Sequence, residues 1–163
     1  MTIILKNKET LIYDDFSFKC CIGRKGLTKN KYEGDKKTPR GTFTLGPVFY
    51  RKDKFKNLET NLKKIPILKK MGWCDDPLHK RYNKLIQISK KFSYEKLYRH
   101  DYKYDLLIPI NYNSKNIKPN LGSAIFIHLT KKFTPTLGCI ALKKTDFLIL
   151  IKLINKKTKI KIL

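Results

Sequence analysis

Two apolar segments near the C-terminal end, 124–127 and 140–142, constrain this chain more than any other feature. Short apolar runs bounded by turn residues read as buried strands. The stretch between them is about as long as a hairpin, and Pro135 and Gly138 interrupt it. His128 follows the first segment and Cys139 opens the second. A sheet built from both can bring an imidazole beside a thiol at its rim.

That pair has a chemical use. An ordinary cysteine, with a pKa of about 8.5, is only a few per cent thiolate at neutral pH. An imidazole within hydrogen-bond reach can take the thiol proton and hand it to a leaving amine. Gly138 removes a side chain beside the nucleophile, so a substrate carbonyl can approach backbone N–H groups, the usual construction of an oxyanion hole. The N–H groups of Gly138 and Cys139 are the candidates.

The same stretch resembles a known family. His128, then Thr136-x-Gly138-Cys139-Ile140, with Asp146 seven positions beyond the cysteine, is similar to the signature of YkuD-type L,D-transpeptidases. The likeness extends upstream through Gly23-Arg24-Lys25-Gly26 and Lys31-Tyr32-Glu33-Gly34-Asp35-x-x-Thr38-Pro39-Arg40-Gly41-Thr42-Phe43. Trp73-x-Asp75, Tyr82-Asn83, Tyr104-Asp105 and Asn111-Tyr112-Asn113 resemble a bacterial branch of the family without an attached binding domain. Ala141 and Leu137 stand where many members carry polar or basic residues, and the spacing of His128 from Cys139 is shorter than in the commonest versions. These departures bear on substrate contacts more than on the nucleophile.

The resemblance implies a mostly β, single-domain mixed sheet or sandwich of the L,D-transpeptidase type, with one or two short helices, over residues 1–163. It implies that Cys139, deprotonated by His128, attacks a peptidoglycan stem peptide or its precursor and passes through a thioacyl-enzyme. Transpeptidation, carboxypeptidation and exchange of the terminal D-amino acid are all open outcomes. A carbapenem is then expected to trap the thiol. Thr136 is expected to orient the loop or the imidazole. Arg24, Arg40 and Arg99 are candidates to meet a substrate carboxylate, and His100 is a candidate second imidazole. This chemistry requires no metal or organic cofactor.

Charge raises a competing reading. Lys and Arg number 37 against 13 Asp and Glu, a formal net charge of +24. Such a balance suggests a nucleic-acid partner. Yet only 5 of the basic residues are Arg, the usual bidentate reader of phosphates and bases, and the lysines are spread along the chain. A solvated lysine surface and attraction to an anionic polymer, such as a wall glycan or membrane surface, both fit. No stable nucleic-acid partner is expected. A basic nucleic-acid-binding module and a catalytically idle wall-binding protein are the alternatives to an enzyme.

The four cysteines, Cys20, Cys21, Cys74 and Cys139, include no C-x-x-C pair, so a structural zinc site lacks its usual spacing. The N-terminal apolar run is three residues, too short for a secretory leader, and no window has the length of a membrane span. On the sequence alone that points to the cytoplasm, whereas the family role implies the periplasm or cell envelope.

Local patterns complete the expectations. Residues 3–5, 10–13, 43–45, 48–50, 81–88, 106–110 and 159–163 read as strands, and alternation over 16–22 reads as a half-buried one. Thr38-Pro39-Arg40-Gly41 reads as a turn. Leu58 and Leu62 suggest a short helix over 54–64, stopped by Pro66. Residues 71–77 read as loop, with Trp73 as a packing anchor. Thr145 is the expected N-cap of a final helix, with Asp146 in its first turn.

Overall fold

The computed structural model describes all 163 residues. Its organising element is a ten-stranded sheet. Strands β1 (Thr2–Leu5), β2 (Thr10–Tyr13) and β3 (Phe16–Cys21) form an antiparallel meander. Apolar residues alternate inward along it, as Ile3, Leu5, Leu11, Tyr13, Phe18 and Cys20 are all buried. The near-terminal strand β15 (Lys159–Ile162) lies parallel to β1, with Thr2 opposite Lys159 and Leu5 opposite Ile162. On its other side β15 pairs with β6 (Gly41–Thr44).

Beyond β3 the sheet continues through β14 (Ile140–Leu142), β13 (Phe126–Leu129), β12 (Leu106–Pro109), β7 (Val48–Tyr50) and β8 (Lys64–Pro66). It curls until residues just past β6 meet the end of β12. Gly46 N–H donates to Pro109 O at 2.8 Å, and Asn111 N–H donates to Thr44 O at 3.0 Å. One face of the curled sheet packs Ile127, Leu129, Ile140 and Leu142 against Phe147, Leu150 and Ile151 of α1 (Lys144–Leu153). The other face carries a smaller cluster of Phe49, Leu107, Phe126, Tyr104 and Cys139.

That second face is covered by a three-stranded sheet in which β9 (Met71–Cys74) runs between β10 (Leu85–Gln87) and β11 (Tyr94–Lys96). Trp73 is the anchor between the layers, meeting Phe126 edge-on at 5.3 Å and Phe49 at 6.4 Å. A two-stranded parallel ribbon, β4 (Leu27–Thr28) with β5 (Thr38–Pro39), completes the architecture.

Several local expectations are corrected. Residues 71–74 form a central strand, not a loop: they pair with β10 on one side and β11 on the other, while Met71 and Trp73 pack against the main sheet. Only Leu85–Gln87 of the segment 81–88 is strand; residues before it turn through Tyr82 N–H to His79 O and Lys84 N–H to Arg81 O. Residues 54–64 form no helix. Leu58 and Leu62 are buried, but Thr60 and Asn61 give their side chains to Ile151 O and Lys152 O, two C-terminal carbonyls of α1. Lys143, not Thr145, occupies the N-cap of α1, with no side-chain cap; Asp146 does lie in the first turn. Thr38 and Pro39 are buried strand residues, not part of a turn.

Phe147 is fully buried where α1 meets the sheet. Replacing it with Ala should lower unfolding free energy by about 3–5 kcal/mol, read from urea denaturation.

Candidate active site

Register decides the site. Side chains alternate faces along a strand, and paired residues on neighbouring strands share a face. His128 pairs with Leu107 on one side and Ala141 on the other, so all three face the smaller cluster. Cys139 lies two residues before Ala141 and therefore shares that face. β13 and β14 run parallel, with Ile127 opposite Ile140, which sets Cys139 beside Phe126 and one step diagonally from His128. From strand spacing and rise, that diagonal spans roughly 8 Å between Cα atoms. Both residues line one cleft of about 450 Å³. His128 thus lies within its strand, not beyond its end, and Cys139 just ahead of the neighbouring strand, the two running parallel.

The imidazole is oriented by the backbone. His128 Nδ1 lies 3.0 Å from Leu129 O. A carbonyl only accepts, so Nδ1 carries the proton in the neutral ring and Nε2 keeps its lone pair. Tyr104 presses edge-on against the ring at 5.3 Å. Burial, aided by Lys103 and Arg99, pushes the imidazole down to about 4.

The thiol is equally enclosed. Cys139 Sγ donates to Ala124 O at 3.3 Å and accepts the Phe126 N–H at 3.3 Å. Burial pushes it up to about 12, although the Phe126 N–H and Lys31 act in the opposite sense. At neutral pH the resting pair is therefore thiol and neutral imidazole, not thiolate and imidazolium.

The turn before the thiol is tied at three points. Gly138 has φ +140°, a conformation that other residues rarely adopt, and a Cβ there would meet Lys37 O at 3.0 Å. Thr136 Oγ1 accepts the Gly138 N–H at 3.1 Å and donates to Cys139 O at 2.6 Å. Thr38 Oγ1 donates to Gly138 O at 2.8 Å and accepts the Gly23 N–H at 2.9 Å. The Gly138 N–H is thus engaged within the turn, while the Cys139 N–H has no protein acceptor.

The cleft mouth joins opposite charges. Arg24, Lys103 and Arg99 line it, as do Glu33, Asp75 and Glu95. Arg99 is held by Asp101 at 2.6 Å and Glu95 at 3.2 Å. Partial burial raises the Glu95 carboxyl despite that guanidinium. Asp75 Oδ1 is the buried side-chain polar atom without a hydrogen-bond partner. Asn83 ties the covering sheet to the approach to β13: its Oδ1 accepts Trp73 Nε1–H at 2.8 Å and Ala124 N–H at 3.1 Å, and its Nδ2 donates to Tyr112 O and Asn113 O.

Of the residues singled out in the sequence, Cys139, His128, Gly138, Thr136, Arg24 and Arg99 line this cleft. Arg40 and His100 are exposed and lie outside its lining. Cys74, His79, His100 and Cys139 do not assemble into a metal-binding group. Lys31 and Tyr104 were named only within motifs that carry the resemblance, with no role of their own, and Glu95 was not singled out. The aromatic-basic interleaving of 92–104, the nearest signal for Tyr104 and Glu95, reads more readily as cover for one side of the core than as a binding surface.

The comparisons accord with this architecture. The YkuD family, L,D-transpeptidase catalytic domain, matches residues 1–162, and the chain belongs to that family. No curated protein matches the sequence. Among solved structures, the helical cell shape determining protein Pgp2 from Campylobacter jejuni is similar, with a TM-score of 0.53 at 20% identity over 99% of this chain. Its K307A mutant gives the same values. The chain spans 46% of the length of those structures, so the likeness is one of fold. No helix is long and apolar enough to cross a membrane.

The depressed His128 imidazole has a stability consequence. Between its ordinary pKa of 6.5 and its folded value of about 4, the unfolded chain binds the proton and the native chain does not. Stability should therefore fall as pH drops through that window, by up to about 3 kcal/mol from this group. A His128→Gln variant should show a flatter dependence in urea unfolding between pH 7 and pH 4.

Proposed function

We propose that the chain is a cysteine acyltransferase of peptidoglycan stem peptides, with Cys139 as nucleophile and His128 as base and then acid. The observation that carries this reading is the shared face of β13 and β14, which aims a thiol and a backbone-oriented imidazole into one cleft. The name of Pgp2 as a cell-shape protein accords with a wall substrate.

The reaction runs in two halves. His128 Nε2 takes the Cys139 proton as the sulfur bonds to the substrate carbonyl carbon, whose π electrons move to oxygen. Neutral resting partners favour transfer during attack over a standing ion pair. The oxyanion meets the free Cys139 N–H, while Gly138, its own N–H given to Thr136, contributes space. The C–N bond then breaks, the terminal amino acid leaves with the proton from His128, and a thioester remains. An acceptor amine resolves it to a cross-linked or exchanged product, or water resolves it to a shortened stem.

The cleft suits a zwitterionic diamino acid. Arg24 and Lys103 offer partners for a carboxylate, and Asp75 Oδ1 offers a free acceptor for an ammonium. On this reading the enzyme works in the cell envelope on assembled wall, or in the cytoplasm on its precursors.

Intact-protein mass spectrometry with a disaccharide tetrapeptide should show an adduct equal to the donor minus its terminal amino acid. Cys139→Ala should form none, and His128→Ala should slow formation by about 100-fold or more. Equal adduct formation by Cys139→Ala and wild type would rule the mechanism out.

A further inference from the structure

Of the 32 lysines, one is buried. The Lys31 side chain is 4% exposed, and its Nζ lies 2.6 Å from Asp35 Oδ1, itself fully enclosed. Its stem crosses Gly122 so closely that a Cβ there would come within 2.8 Å of Lys31 Cε. Its Nζ ends 3.6 Å from where a Gly138 Cβ would stand. Two glycines thus leave a slot for one ammonium beside the nucleophile turn.

The ion pair is lopsided. Asp35 also accepts the N–H groups of Tyr32 at 3.2 Å and Lys37 at 2.8 Å, so three donors surround the carboxylate. Burial opposes its ionisation, but those bonds hold the carboxyl below its ordinary range. Lys31 has a single anionic partner. Lys31 lines the cleft that holds the thiol and Asp35 does not, so the positive member borders the cleft and its counterion lies outside the lining. A methionine would fill the same slot without the cost of desolvating a charge.

From this geometry we infer that Lys31 supplies the positive charge that stabilises anionic sulfur at Cys139, and then the oxyanion formed when that sulfur attacks. The inference rests on Cys139 being the nucleophile. The titratable groups that line the cleft with this sulfur include Lys31 from the loop before β5, Glu95 from β11, Tyr104 ahead of β12 and His128 from β13, with Arg24, Glu33, Asp75, Arg99 and Lys103 also lining it. Glu95 opposes thiolate formation and Lys31 favours it. Lys31 acts through charge on the reacting atoms, which separates it from Thr38 and Thr136, whose bonds shape the turn.

The test is the rate at which iodoacetamide modifies Cys139, followed by peptide-resolved mass spectrometry at fixed pH values between 7 and 9. Lys31→Met keeps the stem and removes the charge, and should slow modification about tenfold at each pH, with Lys31→Arg restoring it to within about threefold. Asp35→Asn releases the ammonium from its counterion, and its modification rate should match or exceed wild type. Lys31→Met modified as fast as wild type would overturn the inference, as would Asp35→Asn slowed as much as Lys31→Met, since a scaffold role predicts equal loss from both. A raised KM for the donor with unchanged alkylation also overturns it, assigning Lys31 to substrate binding instead. Should Lys31→Met fail to fold, Asp35→Asn decides alone. A wild-type protein that alkylates as described but forms no acyl adduct would refute the transpeptidase reading and not this one.

Discussion

The parallel pairing of β13 with β14 is the constraint on which the rest depends. It sets Ile127 against Ile140 and His128 against Ala141. A slip of one residue would turn His128 into the main core and bring Ile127 or Leu129 to the cleft. The register is defended from both sides. Leu107 of β12 pairs with His128, and Cys21 of β3 pairs with Ala141. The core face leaves no room for slippage, because Ile127, Leu129, Ile140 and Leu142 are all buried there. Hydrophobic burial on one face therefore positions chemistry on the other.

The cleft itself is assembled from outside the large sheet. Asn83 uses its oxygen twice and its amide nitrogen twice to join the covering sheet to the residues that lead into β13. One of those bonds reaches the Ala124 N–H, and the Ala124 carbonyl in turn accepts the Cys139 thiol. Thr38 does the same from the opposite wall, bonding Gly23 and Gly138 at once. The turn before Cys139 is thus gripped from Thr38, 100 residues away in sequence, and by way of Ala124 from Asn83. Each grip is a buried bond whose loss would leave a polar group without a partner.

How much of this could be read from the residues depended on range. Cys139 and His128 were legible because flanking apolar runs and a short spacing suffice to place them near each other. The mostly β character was legible in alternations such as Phe16 to Ile22. The parallel sense of β13 and β14 was not, since ten intervening residues are fewer than such a crossover usually needs. The segment around Leu58 and Leu62 carried helical spacing, but its hydroxyl and amide are spent on the end of α1. Lys31 stood in a motif that carries the family resemblance, but its burial was not legible, because nothing local distinguishes a lysine that will be buried. Arg40 and His100 had the right chemistry and the wrong position, which only the fold decides.

The partnership of β1 with β15 has a kinetic corollary. Residues 2–5 have no neighbour on that flank until residues 159–162 exist, and β6 in turn docks on β15. The main barrel-like layer therefore closes with contacts of very high sequence separation, the kind that slow folding. On a ribosome, the early meander would wait with an open edge while the turn before Cys139 was still being made. The sheet that backs the thiol pocket is thus completed only once residues 159–162 are available to pair with β1 and β6.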